Sequence, residues 1–197
     1  GVKIMQEVLK DERITYLLGN HEIMFLDTKD TKLKSLTKQE KEDLKYNGTI
    51  ETIRQYFELT EEEQIGLTNQ LKNLPCCTEY INKNNQKVFL SHAGGNPDYL
   101  EFADMTYLTW NRTHMGVSSW KYYQKRFPNL YIVHGHTPVQ VITGKYQKAE
   151  VLFYCGNHKI DIDLCTYTSG KAALIDLDTF EVIYFEDKEN KVEKIQN

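Results

Sequence analysis

The chain has 197 residues, 40% of them hydrophobic and 26% charged, with a formal net charge of −4. That length suffices for one well-buried domain, and mild acidity with both signs interspersed argues against a nucleic-acid binder, which would show a basic patch. No apolar run approaches the ~18–20 residues needed to span a bilayer, and no basic-then-apolar leader precedes a small-residue cleavage site, so no membrane association is expected.

In chain order, Val2, Met5, Val8 and Leu9 fall on one face of a helix that ends near Lys10. Because the chain opens inside this helix without a methionine, residues upstream of Gly1 are expected to be missing from it. Residues 14–18 form a strand-like run. Residues 28–75 read as a polar, helix-rich stretch, placed as a helical cap-like insertion in a single domain spanning 1–197. Within it Thr37-Lys38-Gln39-Glu40 and Thr60-Glu61-Glu62-Glu63 are capping boxes, Asn47-Gly48 is a turn and Pro75 ends the last helix. Strands then dominate: 88–90 and 131–133, with a helix between them capped by Ser118 or Ser119 and stopped at Pro128, then 139–143, 151–155, 160–165, 172–177 and 181–185. Early alternation of helix and buried strand with a strand-rich ending implies an α/β domain with mixed sheets. The cysteines, Cys76, Cys77, Cys155 and Cys165, form no C-x-x-C pair. Cys76 and Cys77 are adjacent, which is poor geometry for a mutual disulfide, so free thiols in a reducing cytoplasm are expected.

One pattern recurs three times. Leu17-Leu18 runs into Gly19-Asn20-His21-Glu22, Phe89-Leu90-Ser91 into His92-Ala93-Gly94-Gly95, and Ile132-Val133 into His134-Gly135-His136-Thr137-Pro138. Each time a short apolar strand ends in a metal-capable side chain beside glycine. Loops converge at the carboxyl ends of strands, and stiff strands hold ligands within the tolerance a metal requires. Glycine lets the backbone turn sharply and approach an anion, and imidazole nitrogen with amide oxygen suits Zn, Mn or Fe better than Ca. A single histidine in such a place is more often a hydrogen-bonded structural residue; three together point to a site.

In this order, Gly19-Asn20-His21-Glu22, Ser91-His92-Ala93-Gly94 and Gly135-His136-Thr137-Pro138 resemble the calcineurin-like metallophosphoesterase superfamily, and within it the bacterial and phage PPP-type Ser/Thr protein phosphatases. Trp110-Asn111-Arg112 and the ending through Asp176 are similar to the same branch. The resemblance implies a four-layer α/β/β/α sandwich of two mixed sheets, and two divalent metal ions, Mn with Fe or Zn as alternatives. It implies Asn20, His92 and His136 as ligands of the second metal, His21 as the general acid, and Arg112 as the phosphate grip. The implied reaction is hydrolysis of phosphomonoesters, on phosphorylated proteins or small phosphoesters, by a water that the two cations acidify and hold in line. His134 is given a structural or supporting role, Glu22 and Trp110 structural ones, and His114 and His158 local hydrogen bonds.

Two motifs of that family, G-D-x-H-G and G-D-x-x-D-R-G, do not occur in these residues. They carry the ligands of the first metal, so weak metal binding and negligible hydrolysis are expected of this chain alone. A diadenosine polyphosphate hydrolase is the alternative with the same metal centre. A non-catalytic binding module lacking the first metal site is the alternative of a different class.

Overall fold

The computed structural model of the protein describes residues 1–31, 35–113 and 120–186. It is mixed α/β and divides into two compact units, Gly1–Cys76 and Cys77–Asn197.

The first unit is helical: α1 (Val2–Lys10), α2 (Asn20–Thr28), α3 (Lys38–Tyr46), α4 (Thr49–Phe57) and α5 (Glu61–Lys72). Thr37 and Thr60 accept the amides of Glu40 and Glu63, and both glutamates bond back to the threonine amide, so both capping boxes form as the sequence indicates. Gly48, at φ 69, turns the chain from α3 into α4 with open space around it; conformation and not crowding selects glycine there. The core gathers Val2 and Met5 of α1, Phe25 of α2, Ile53 and Tyr56 of α4, and Leu67 and Leu71 of α5. Tyr56 meets Phe25 edge-on at 5.2 Å, and its hydroxyl, buried with the ring, pairs with Thr68 Oγ1 at 3.0 Å. The run 14–18 is not a strand. It has no ladder partner among the described residues, and its Leu18 amide donates instead to the Pro75 carbonyl at 2.9 Å. A β-like composition without a neighbouring edge leaves extended chain only.

The second unit holds a five-stranded mixed sheet in the order β1-β2-β3-β5-β4 and a two-stranded one, β6-β7. The strands are β1 (Cys77–Ile81), β2 (Lys87–Ser91), β3 (Leu130–His134), β4 (Leu152–Tyr154), β5 (Lys159–Asp161), β6 (Lys171–Ile175) and β7 (Val182–Glu186). Between β2 and β3 lie α6 (Met105–Trp110) and α7 (Trp120–Arg126), and α8 (Val139–Thr143) follows β3. The cap assigned to Ser118 or Ser119, and His114, lie outside the described residues. β2, β3 and β5 run parallel, while β1 and β4 pair antiparallel at the edges. Val88, Val133 and Ile160 share an apolar face, and Ala173, Ile175 and Val182 of the small sheet pack against it. The opposite face is mixed: Ser91, His134, Lys159 and Asp161 alternate out of the same strands beside Phe89 and Ile132, and all are buried.

Residues 139–143 form α8 where the sequence indicates a strand. Their β-branched side chains favour a strand only weakly; here the Val139 amide donates to the Asp163 carbonyl and Gln140 Nε2 to the Leu164 carbonyl, and Gly144 at φ 68 closes the turn. The expected strand 160–165 pairs only over Lys159–Asp161. Beyond it, Asp161 and Asp163 accept the amides of Asp163 and Cys165, which bends the chain away from the ladder. Cys76, Cys155 and Cys165 carry free thiols. Among the described residues no helix is long and apolar enough to cross a membrane.

Leu71 has no exposed surface, so Leu71→Ala should cost about 2–5 kcal/mol, against about 1 kcal/mol for Thr60→Ala at the head of the same helix. Urea unfolding of the two variants beside the unsubstituted protein checks the ranking.

Candidate metal centre

β2 and β3 are parallel neighbours with Leu90 opposite Val133, so their carboxyl ends lie side by side. The Gly135 amide donates to the His92 carbonyl at 2.9 Å, tying together the two loops that leave those ends. His92 follows the last residue of β2, and His136 stands two beyond the last residue of β3. Their rings meet with centroids 5.0 Å apart, and His92 Nε2 lies 3.1 Å from His136 Nδ1.

That separation fits a shared cation. Two imidazole nitrogens bound at about 2.0–2.1 Å in a tetrahedral site sit about 3.4 Å apart, a few tenths of an ångström beyond the hydrogen-bonded separation of this pair. Among the described residues no group of three or more His, Cys, Asp and Glu gathers as a metal cluster; an amide ligand falls outside those four types.

His136 is held in an uncommon conformation. Its φ is 71°, and the Thr137 amide donates across it to the Gly135 carbonyl at 2.9 Å. A three-residue turn with positive φ at its centre is the rare, strained kind of γ-turn. The sharp bend expected of the glycine thus falls on the histidine. In the loop after β2 it falls on glycine, Gly94, at φ 71. There the next residue is crowded: a Cβ on Gly95 would sit 2.6 Å from Leu100 Cδ2.

The face of the sheet that carries His134 also buries Ser91, Lys159 and Asp161. His134 Nδ1 is 3.1 Å from the Gly135 carbonyl and its Nε2 is 2.6 Å from the Tyr154 hydroxyl. Burial holds the His134 imidazole down at about 4. Asp161 is fully buried, and burial pushes its carboxyl up to about 8, against the pull of the Asp163 amide. Asp161 Oδ2 lies 4.0 Å from His134 Nδ1. With both groups held neutral near pH 7, this is no ion pair. Lys159, two residues earlier on β5, is pushed down to about 7 by burial.

Trp110 ends α6 and meets His136 edge-on at 6.0 Å, so it packs against the pair while a third of its surface stays open. Arg112, two residues on, is exposed. Asn20 and His21 belong to the first unit, at the start of α2, with Asn20 buried and His21 exposed. Glu22 accepts the Gly19 amide at 3.0 Å and the Tyr16 hydroxyl at 2.9 Å, which accounts for it as a helix-start contact. His158 Nδ1 bonds locally to the Leu130 carbonyl at 2.8 Å, and its ring stacks on Tyr131. Since a carbonyl only accepts, the His158 nitrogen is the donor. Sequence reasoning missed Tyr154 and Asp161. Alternation along β4 and β5 put them among candidate strand residues, but only the strand order places them beside His134.

The chain matches no model of a known protein family, and no curated protein matches it.

Two outcomes follow from this geometry. His136→Gly removes backbone strain of about 1–3 kcal/mol and adds about 0.5–1 kcal/mol of glycine entropy, so metal-free stability in urea should rise by about 1 kcal/mol while Zn²⁺ uptake is lost. For Asp161 the folded state keeps a proton that the unfolded chain has released near pH 4. Stability therefore falls as pH rises from about 4 to about 8. Asp161→Asn lacks this term, so the stability of the unsubstituted protein relative to that variant should drop between pH 5 and pH 8, read as the shift in the two urea midpoints.

Proposed function

We propose that the protein is a metal-dependent phosphoesterase of the Ser/Thr or dual-specificity protein phosphatase kind, and that these residues carry the half of its centre that holds the second metal. The observation that supports it most is the 3.1 Å approach of His92 Nε2 and His136 Nδ1 at the ends of two parallel strands. Both are the histidines that the motif resemblance names as ligands. His92 and His136 would hold the ion, Mn²⁺ first and Fe or Zn otherwise. When bound, a pair of such cations neutralises phosphate charge and acidifies water.

The chain's own residues do the rest. Arg112, exposed on its loop, presents a planar fork that matches two phosphate oxygens. His21, exposed at the start of α2, delivers a proton to the leaving alkoxide, worth ~10²–10⁴-fold. Asn20 as third ligand and His21 as acid stand on the Gly19–Glu22 motif. The four-layer sandwich is the fold we infer; the packing of Ala173, Ile175 and Val182 of β6-β7 against the cluster of Val88, Val133 and Ile160 supports it. Free thiols fit a cytoplasmic location.

A binding module without catalysis is the second reading, favoured by the meeting of His92 and His136 without a cluster of three or more His, Cys, Asp or Glu among the described residues. Calorimetric titration of this chain with Mn²⁺ should show weak binding of one ion, abolished by His92→Ala or His136→Ala and weakened by Asn20→Ala, with no phosphopeptide turnover. No binding, or binding that survives both histidine substitutions, would sink the centre. The reading frame upstream of Gly1 separates the two readings: both motifs there support the enzyme, and unrelated sequence supports the module. Turnover of a dinucleotide polyphosphate in preference to a phosphopeptide, by a protein with both motifs, would move the assignment to the diadenosine polyphosphate hydrolases.

A further inference from the structure

The Gly135 carbonyl is the fixed point of the turn that aims His136. It takes the Thr137 amide at 2.9 Å, and His134 Nδ1 lies 3.1 Å away. A carbonyl oxygen only accepts, so Nδ1 carries the proton and both lone pairs of the carbonyl are engaged. The side chain is fully buried, so the ring carries a single proton, and with that proton on Nδ1 the other nitrogen, Nε2, is an acceptor. Nε2 receives the Tyr154 hydroxyl at 2.6 Å, and the tyrosine ring meets the imidazole edge-on. The direction of every proton is thereby set: Tyr154 O–H to His134 Nε2, and His134 Nδ1–H to the Gly135 carbonyl. Tyr154 ends β4, the sheet edge, opposite Lys159 of β5, so the relay crosses from the edge strand to the end of β3.

We propose that Tyr154 and His134 form a positioning device that locks the strained turn at residues 135–137 and so keeps the His136 ring aimed at His92. It rests on the reading of His92 and His136 as metal ligands. Strain of the kind seen at His136 persists only where its surroundings over-determine it. The second bond on the Gly135 carbonyl is that over-determination. Tyr154 acts one step earlier: by donating to Nε2 it selects the tautomer whose Nδ1–H can donate. Neither residue touches the ion or a substrate; both act through His136, as partners beyond the ligands do in metal sites.

The test uses this chain with Zn²⁺ as the probe, in calorimetry and in ¹⁵N imidazole spectra recorded without metal. The unsubstituted protein should show His134 as the Nδ1–H tautomer. Tyr154→Phe should blur that preference, move the His136 ring signals, and weaken Zn²⁺ binding roughly tenfold, the lower end for loss of such a partner. His134→Ala should weaken it at least as much. His134→Asn places an amide N–H where Nδ1–H was, and should stay closer to the unsubstituted protein than His134→Ala does. That rescue is a result a packing role would not give. If His134→Asn and His134→Ala behave alike, or if Tyr154→Phe leaves the His136 signals in place, the device is refuted. If the unsubstituted chain takes up no Zn²⁺, the metal-centre reading fails instead, and the metal-free spectra still decide the device: moved His136 signals support it and unmoved ones overturn it.

Discussion

The hydrogen bond from the Gly135 amide to the His92 carbonyl, with the parallel register of β2 and β3 beneath it, governs this end of the second unit. Parallel pairing puts two strand ends at one level. One bond between the departing loops then holds them level for a further residue, long enough to bring two imidazole nitrogens within 3.1 Å. An antiparallel pair would have sent the two histidines to opposite ends of the sheet. A slip of one residue would have turned His134 to the apolar face and broken both arrangements.

What lies under that bond is expensive. Ser91, His134, Lys159 and Asp161 are buried on one face of the central strands. Burial drives each titratable member toward its neutral form: His134 and Lys159 down, Asp161 up. Buried polar groups cost stability unless paired, and a positive φ at a histidine adds strain. The other face of the sheet, built on Val88, Val133 and Ile160, supplies apolar burial to offset this. Cost concentrated at one pole of a sheet, with ordinary packing on the far side, is the distribution expected where a site is built at the expense of stability.

Local signals in the sequence were read well where the chemistry is local. The capping boxes at Thr37 and Thr60, the Gly48 turn and the amphipathic face of α1 depend on residues within one or two turns, and all stand in the structure. The strand cores at 88–90 and 131–133 were legible from their apolar runs. Three things were not. The run 14–18 has strand composition without a ladder partner among the described residues, which no composition reveals. Residues 139–143 have strand composition but are held as a helix by Asp163 and Leu164, more than twenty residues away. β1 escaped notice because Cys77-Thr-Glu-Tyr-Ile81 lacks clean alternation, although the Asn-rich turn after it, with Asn85 at φ 57, was a hairpin signal. At the site, His92 and His136 were named from their motifs and the structure brings them together. Tyr154 and Asp161 needed the strand order, since β4 and β5 reach β3 only through tertiary pairing.

The central claim is that one cation sits between His92 and His136. A crystal of this chain soaked in Zn²⁺ and measured at the zinc absorption edge tests it most directly. The expected result is a single strong anomalous peak about 2.0–2.1 Å from both His92 Nε2 and His136 Nδ1. Density showing the two rings still hydrogen-bonded to one another, with no peak between them at saturating Zn²⁺, would contradict it.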